Sequence, residues 1–235
     1  HITIPAKGLP HPLDGFTIVH LSDLHRGPFV SEEHLRKAVE MANEARPDLV
    51  VLTGDYIYLS VSYADSAAQV LSGLKARYGI YAVLGNHDTW EDATRVEEAL
   101  EQVGIRVLRN ESALIETKEG QRIWLMGVDD FGTGLTSYLS RNDLAHLWEK
   151  GLRFVREELS RLPADDVKIL LVHNPDFALF LPSGITLMLS GHSHGGQVRL
   201  PVIGTPIIPV HRKYVSGLIN ESGAWIYVNR GVGNI

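Results

Sequence analysis

No cysteine occurs anywhere in the 235 residues, which excludes disulfides and thiolate metal sites. That absence leaves the compartment open. No apolar run approaches the roughly 20 residues of a membrane-spanning helix. Basic charge is not in excess either: 22 Lys and Arg stand against 28 Asp and Glu, a net charge of −6. A nucleic-acid duplex is therefore not expected as the main partner. A locally positive pocket stays open, because bound metal ions carry charge that a sequence count omits. Linkers, low-complexity stretches and repeats are also missing. What remains is an ordinary globular composition, 44% hydrophobic and 21% charged. A chain of this length buries roughly 70% of its surface, enough for one large domain or two small ones. The first residue is His1 and not Met, so processing or trimming is expected, which would put a signal peptide or anchor out of view. The chain stops at Gly233-Asn234-Ile235, close behind an apparent strand.

Five apolar runs each end in metal-ligand chemistry. They are TIVHLSDLH (17–25), DLVVLTGD (48–55), IYAVLGNHD (80–88), KILLVHN (168–174) and ITLMLSGHSH (185–194). Short apolar runs bounded by turn residues read as buried strands. In open α/β sheets, ligand sites gather at the carboxyl ends of such strands. Five repetitions suggest one site assembled from the whole chain.

The surrounding pattern alternates. Strands are expected at 16–21, 48–53 and 79–84, with helices at 31–46, 63–77 and 91–103. Ser31 caps the first helix and Pro47 ends it. Such alternation implies βαβ units and a parallel sheet. Short strands follow over 105–128, turning at Lys118-Glu119-Gly120. Residues 129–141 read as a loop and 142–162 as a helix, with Leu144, Leu147, Trp148 and Leu152 on its core face. Strands at 167–172 and 186–190 return to the ligand pattern, and 197–229 is rich in strand formers and turns. The expected fold is α/β: two packed mixed sheets flanked by helices, in one domain spanning 1–235.

Asp23 and His25 are two apart, as are His192 and His194. In an extended segment such pairs point the same way and reach one ion. Asp55 follows Gly54, and Asn86 follows Gly85, where the backbone can turn sharply. His173 ends its own strand. Imidazole, carboxylate and amide donors without sulfur suit Mn, Fe, Zn or Ni better than Ca. Seven donors exceed one tetrahedral ion, and two ions bridged by Asp55 account for all of them.

The ordered set Asp23-Leu24-His25, Gly54-Asp55, Gly85-Asn86-His87-Asp88, His173 and Gly191-His192-Ser193-His194 resembles that of the calcineurin-like metallophosphoesterases. The segment GHSHGGQVRLP (191–201) is similar to a bacterial, single-domain, often membrane- or wall-associated branch. The resemblance implies a four-layer sandwich and a first ion on Asp23, His25, Asp55 and His194. It implies a second ion on Asp55, Asn86, His173 and His192. His87 would face the substrate, steadying phosphoryl oxygens or protonating the leaving oxygen, and Asp88 would orient or polarise His87. The implied cofactors are two divalent ions, manganese first, with Fe, Zn or Ni as alternatives. The implied reaction is attack by a metal-bridging hydroxide on a phosphate ester, a diester ahead of a monoester. The substrate would be a small molecule or a lipid headgroup. Peripheral membrane contact is compatible with this, and the oligomeric state is open. The location would be membrane or wall if an anchor is missing, and cytoplasmic otherwise.

Taken singly, most of these residues read as turn formers or structural histidines. His1, His11, His20, His34, His146 and His211 are read so by default, with His20 a bonded core histidine. His211 is the exception, a candidate for the pocket wall. Arg26 is a candidate phosphate contact, Tyr58, Phe131 and Tyr138 a candidate apolar wall, and Asp129 or Asp130 a remote candidate for a third metal contact. Two other functions stay open. One is a lipid pyrophosphatase of the UDP-2,3-diacylglucosamine type, which a long apolar channel near the metals would favour. The other is a non-catalytic, metal-stabilised scaffold, which would need neither His87 nor Asp88.

Overall fold

The computed structural model describes residues 1–5, 9–130, 134, 136–196, 209–221 and 223–233. The apolar runs form strands. β1 (Ile18–Leu21), β2 (Leu49–Thr53), β3 (Ile80–Val83) and β4 (Arg106–Val107) make one wholly parallel sheet in that order. A second sheet contains β5 (Glu111–Glu116), β6 (Arg122–Gly127), β7 (Val167–Leu171), β8 (Leu187–Ser190), β9 (Gly217–Glu221) and β10 (Ala224–Val228). Its order is β5-β6-β7-β8-β10-β9. The inner pairs are parallel and the edge hairpins antiparallel, so this sheet is mixed.

Side-chain alternation builds the layers. In β2, Leu49 and Val51 face the second sheet, while Val50 and Leu52 face helices. In β7, Ile169 and Leu171 share the inter-sheet core, while Leu170 faces outward. Helices α1 (Glu32–Glu44), α2 (Ala64–Leu71) and α3 (Asn86–Gln102) cover the first sheet. Helices α4 (Arg141–Leu147) and α5 (Glu149–Arg161) cover the second. The result is a helix–sheet–sheet–helix sandwich. An apolar cleft of about 1110 Å³ lies beside β1, lined by Ile18, Leu21, Met41, Ile169, Leu187 and Tyr227 among others. Among the described residues, no helix is long and apolar enough to cross a membrane.

Three helices depart from the sequence pattern, each for a local reason. The 63–77 segment stops being helical at Leu71. There Asn43 of α1 donates to the Gly73 carbonyl and accepts from the Lys75 amide, taking groups a helix would need. The expected 91–103 helix begins earlier, at Asn86, and breaks at Asp92 (φ −172°, ψ 93°). Asp92 accepts from the Arg95 amide and so caps the second half. The expected 142–162 helix bends at Trp148. The bend seats the buried Trp148 ring 5.8 Å from Phe177 and lets Gly151 lie where a Cβ would meet Val128 at 2.6 Å. Leu144, Trp148 and Leu152 are buried as expected, but Leu147 is exposed. The turn at Gly120 (φ 77°) joins β5 to β6 as expected. Expectations for 197–208 and for Phe131 lie outside the described residues.

Candidate metal centre

Every candidate ligand lies just beyond the carboxyl end of a parallel strand. Asp23 and His25 follow β1, Asp55 follows β2, Asn86 opens α3 after β3, His173 follows β7, and His192 and His194 follow β8. Both sheets therefore contribute. The chain does not stay extended there, as the spacing argument assumed. Asp23 (φ 51°), His25 (φ 49°), Asp55 (φ 57°), His192 (φ 66°) and His194 (φ 49°) all take the left-handed conformation. Such backbone costs about 1–3 kcal/mol per residue and clusters at functional sites.

The preceding glycines act by close approach. A Cβ on Gly85 would sit 2.2 Å from Asp55 Oδ1, and one on Gly191 would sit 2.4 Å from Asp23 Oδ2. Gly54 is the only one of the three with positive φ, at 89°. Gly85 has φ −105°, so it is small because of Asp55 and not because of a sharp turn.

The seven donors fall into two joined groups, and His87 converges with His25 and Asp55 in a third that overlaps both. Asp23, His25 and His194 form one, with His25 Nε2 2.9 Å from His194 Nε2 and His194 Nε2 3.5 Å from Asp23 Oδ1. Asp55, His173 and His192 form the other, and His173 Nε2 also lies 3.1 Å from Asn86 Oδ1. Asp55 Oδ2 stands between the groups, 3.2 Å from His173 Nε2 and 3.7 Å from His25 Nε2. Its Oδ1 accepts from the His87 amide at 2.9 Å.

The second group fits a cation by its lone pairs. A carbonyl can only accept, so His173 Nδ1 donates to Thr53 O at 2.7 Å, and His192 Nε2 donates to Gly134 O at 3.0 Å. In their neutral forms His173 Nε2 and His192 Nδ1 are then bare acceptors, 3.1 Å apart, beside two acceptor oxygens. Positive charge must sit among them. Without a metal it is a proton: burial opposes protonation of His173, but Asp55 lifts the ring to about 10. A divalent ion held by these donors would take the place of that proton. Burial pushes His25 and His192 down to about 3, leaving both rings unprotonated and able to ligate at neutral pH.

His87 is half-buried, its ring centroid 5.0 Å from that of His25. Burial lowers its pKa. Asp88 makes no direct hydrogen bond to its ring. The Asp88 carboxylate accepts from the amides of Gly85 and Asp55 through Oδ2, and of Tyr56 and Ile57 through Oδ1. It is a buried clamp between the β2 loop and the first turn of α3. Its hydrogen bonds go to backbone amides and none goes to the His87 ring, so any influence on His87 would act through the loop that carries it.

Other candidates are placed as follows. Arg26 donates to the Gly27 and Val30 carbonyls and lies over the Tyr63 ring, turned into its own loop and away from a phosphate. Asp129 pairs with Arg109 at 2.9 Å through Oδ2 and belongs to none of the converging donor groups among the described residues. Asp130 stands near enough to His173 to raise its pKa, but joins no donor group. His211 is exposed, with Nδ1 accepting from the Lys213 amide. His20 bonds Thr53 Oγ1 at 2.8 Å, as a core histidine would. His34 and His146 are exposed. Tyr58 does flank the site, its ring 5.2 Å from that of His87, whereas Tyr138 is exposed. The sequence reading missed Trp90, 4.8 Å from His87 by ring centroids. Its signal was the i, i+3 spacing, hidden because the first helical turn was taken for loop.

Residues 16–196 match the family model described as calcineurin-like phosphoesterase. Over 98% of the chain, and 77% of the relative, it is 36% identical to the uncharacterized metallophosphoesterase YkuE of Bacillus subtilis. It is 34% identical to the phosphodiesterase YaeI of Escherichia coli, over 94% of the chain and 76% of the relative. Against the zebrafish (Danio rerio) transmembrane protein with metallophosphoesterase domain it is 34% identical over 99% of the chain, but spans only 52% of that relative. A solved dimetal phosphatase from Danio rerio shares the fold with a TM-score of 0.56 at 15% identity, covering 92% of this chain and 88% of that one. The strand-end donor groups, the sandwich and these similarities agree: the chain belongs to the calcineurin-like phosphoesterase family.

Proposed function

We propose that this protein is a two-metal phosphodiesterase. The observation that carries the reading is Asp55, a carboxylate standing between two groups of converging donors. Asp23, His25, Asp55 and His194 would hold one ion, and Asp55, Asn86, His173 and His192 the other. Two such ions supply Lewis acidity toward a phosphoryl oxygen and a water acidic enough to ionise near neutral pH. The chain's own residues do the rest. Thr53 O and Gly134 O fix the tautomers of His173 and His192, so the ligating nitrogens stay bare. The His192 amide holds Asp23 at 2.9 Å and the His87 amide holds Asp55 at 2.9 Å, which preorganises both carboxylates. No described residue takes a hydrogen bond from the His87 ring, which leaves its N–H for a phosphoryl oxygen or the leaving oxygen.

Charge favours the diester. Two divalent ions would exceed the two carboxylates of the donor groups, Asp23 and Asp55, by two positive charges. A nucleophilic hydroxide and a singly charged diester balance them, whereas a dianionic monoester leaves an excess negative charge. Arg26, the arginine the sequence offered to offset it, gives Nη1 to the Gly27 and Val30 carbonyls instead. The printed name of the relative YaeI, a phosphodiesterase, points the same way. The lipid pyrophosphatase reading gains nothing from the apolar cleft, whose lining includes none of the seven donors. The core shared by both sheets supports reading residues 1–235 as one domain. Manganese remains the first ion to try.

The test is hydrolysis of bis-p-nitrophenyl phosphate by metal-stripped protein resupplied with Mn²⁺, with His87→Ala alongside. Turnover that depends on Mn²⁺ and drops at least ~100-fold in the variant is expected. Bound metal without turnover would sink the diesterase reading and favour the scaffold.

A further inference from the structure

Beside the donors runs a chain of aromatic rings that metal binding does not require. Phe29 lies 6.3 Å from Tyr58, Tyr58 lies 5.2 Å from His87, and His87 lies 4.8 Å from Trp90. Tyr58 also lies 5.7 Å from the candidate ligand His25. Phe29 is 75% exposed and Trp90 54% exposed, so the rail opens to solvent at both ends. Core packing does not account for rings this exposed, and they meet at the residue placed against the reacting phosphate.

Both flanking residues sit on constrained backbone. Tyr58 N donates to Arg26 O at 3.0 Å, and Gly27 presses so close that a Cβ there would meet Tyr58 O at 2.9 Å. Trp90 sits three residues after His87 in the first turn of α3, on the same face, with the rings edge to face. Gly134, whose carbonyl fixes His192, lies where a Cβ would come 3.2 Å from the Trp90 ring. Wall and metal site thus share their supports. Both rings border His87, so a group leaving from beside it meets aromatic surface.

We infer that Tyr58 and Trp90 form a leaving-group subsite that selects esters of apolar, ring-bearing alcohols over esters of small polar ones. The inference rests on the phosphoesterase reading above and names the substrate class of that same site. An offset or edge-to-face ring partner adds about two- to tenfold to affinity beyond the apolar area it buries. The selectivity belongs to binding and to kcat/KM toward ring-bearing esters, and it leaves the metals unaffected.

The test uses metal-loaded protein and two non-hydrolysable probes, phenylphosphonate and methylphosphonate. Each is measured by calorimetry and as a competitor of bis-p-nitrophenyl phosphate. The native protein should bind the phenyl probe at least ~10-fold more tightly. Trp90→Ala and Tyr58→Ala should each bring that ratio down several-fold while the metal content stays the same. Tyr138→Ala, an exposed aromatic outside the rail, should leave it unchanged. Equal binding of the two probes by protein that hydrolyses the diester would overturn the subsite while leaving the phosphodiesterase intact. So would a ratio that survives both alanine variants. Failure of the metal-loaded protein to hydrolyse any ester would remove the parent reading and the subsite with it.

Discussion

Asp88 and His87 are neighbours in sequence with opposite duties. His87 projects its ring toward the donor groups, while Asp88 turns inward onto four backbone amides. Replacing a buried acceptor leaves N–H groups unsatisfied at about 1–3 kcal/mol each. Asp88→Asn keeps the shape but turns one acceptor oxygen into a donor. It should lower unfolding free energy by about 2–4 kcal/mol in a denaturant titration. His87→Ala should cost under about 1 kcal/mol while removing activity. Equal stability losses would contradict the division. The motif Gly-Asn-His-Asp made all four positions visible in the sequence, but the direction of the Asp88 side chain depends on the β2 loop folding against it. Sequence spacing does not carry that information. The same holds for Asp23 and His25: their pairing was legible, and their left-handed backbone was not.

At the scale of elements, long apolar runs were the readable signal. β2, β7 and β8 are buried throughout, so their sequences carry little polar punctuation and read plainly as strands. Helix ends were less readable, because partners distant in sequence decide them. Asn43 ends α2 from thirty residues away. Trp148 bends the α4–α5 segment because its ring belongs under Phe177 and Phe180. That ring is fully buried, so Trp148→Ala should cost about 3–5 kcal/mol. Because it packs on the outer face of the second sheet, the metal content of the folded variant should match the native protein. Elemental analysis beside a urea titration checks both, and lost metal at full stability would contradict the placement.

For the whole molecule, the site ties the sheets together. His173 of the second sheet bonds Thr53 of the first at 2.7 Å, and the His192 amide bonds Asp23 at 2.9 Å. The family pattern announced that distant segments would meet. The position of β10 between β8 and β9 was not announced, because strand order is set by long-range packing of chemically similar apolar strands. Ions bridging loops from both sheets should stabilise the fold by linkage. At a hundredfold excess over Kd one ion contributes about 2.7 kcal/mol, or roughly 5–10 °C in Tm for a chain of this size. Chelation should lower Tm by about that amount, and Mn²⁺ should restore it. A melt indifferent to both would mean that the donor groups do not hold ions in the folded state.

The central claim is that seven strand-end donors hold two ions joined by Asp55. Elemental analysis of metal-loaded native protein and of Asp55→Asn tests it most directly. The account predicts two ions per chain in the native protein and fewer in the variant, with the fold retained by circular dichroism. One ion or none in the native protein, or two retained after the bridge is neutralised, would contradict it.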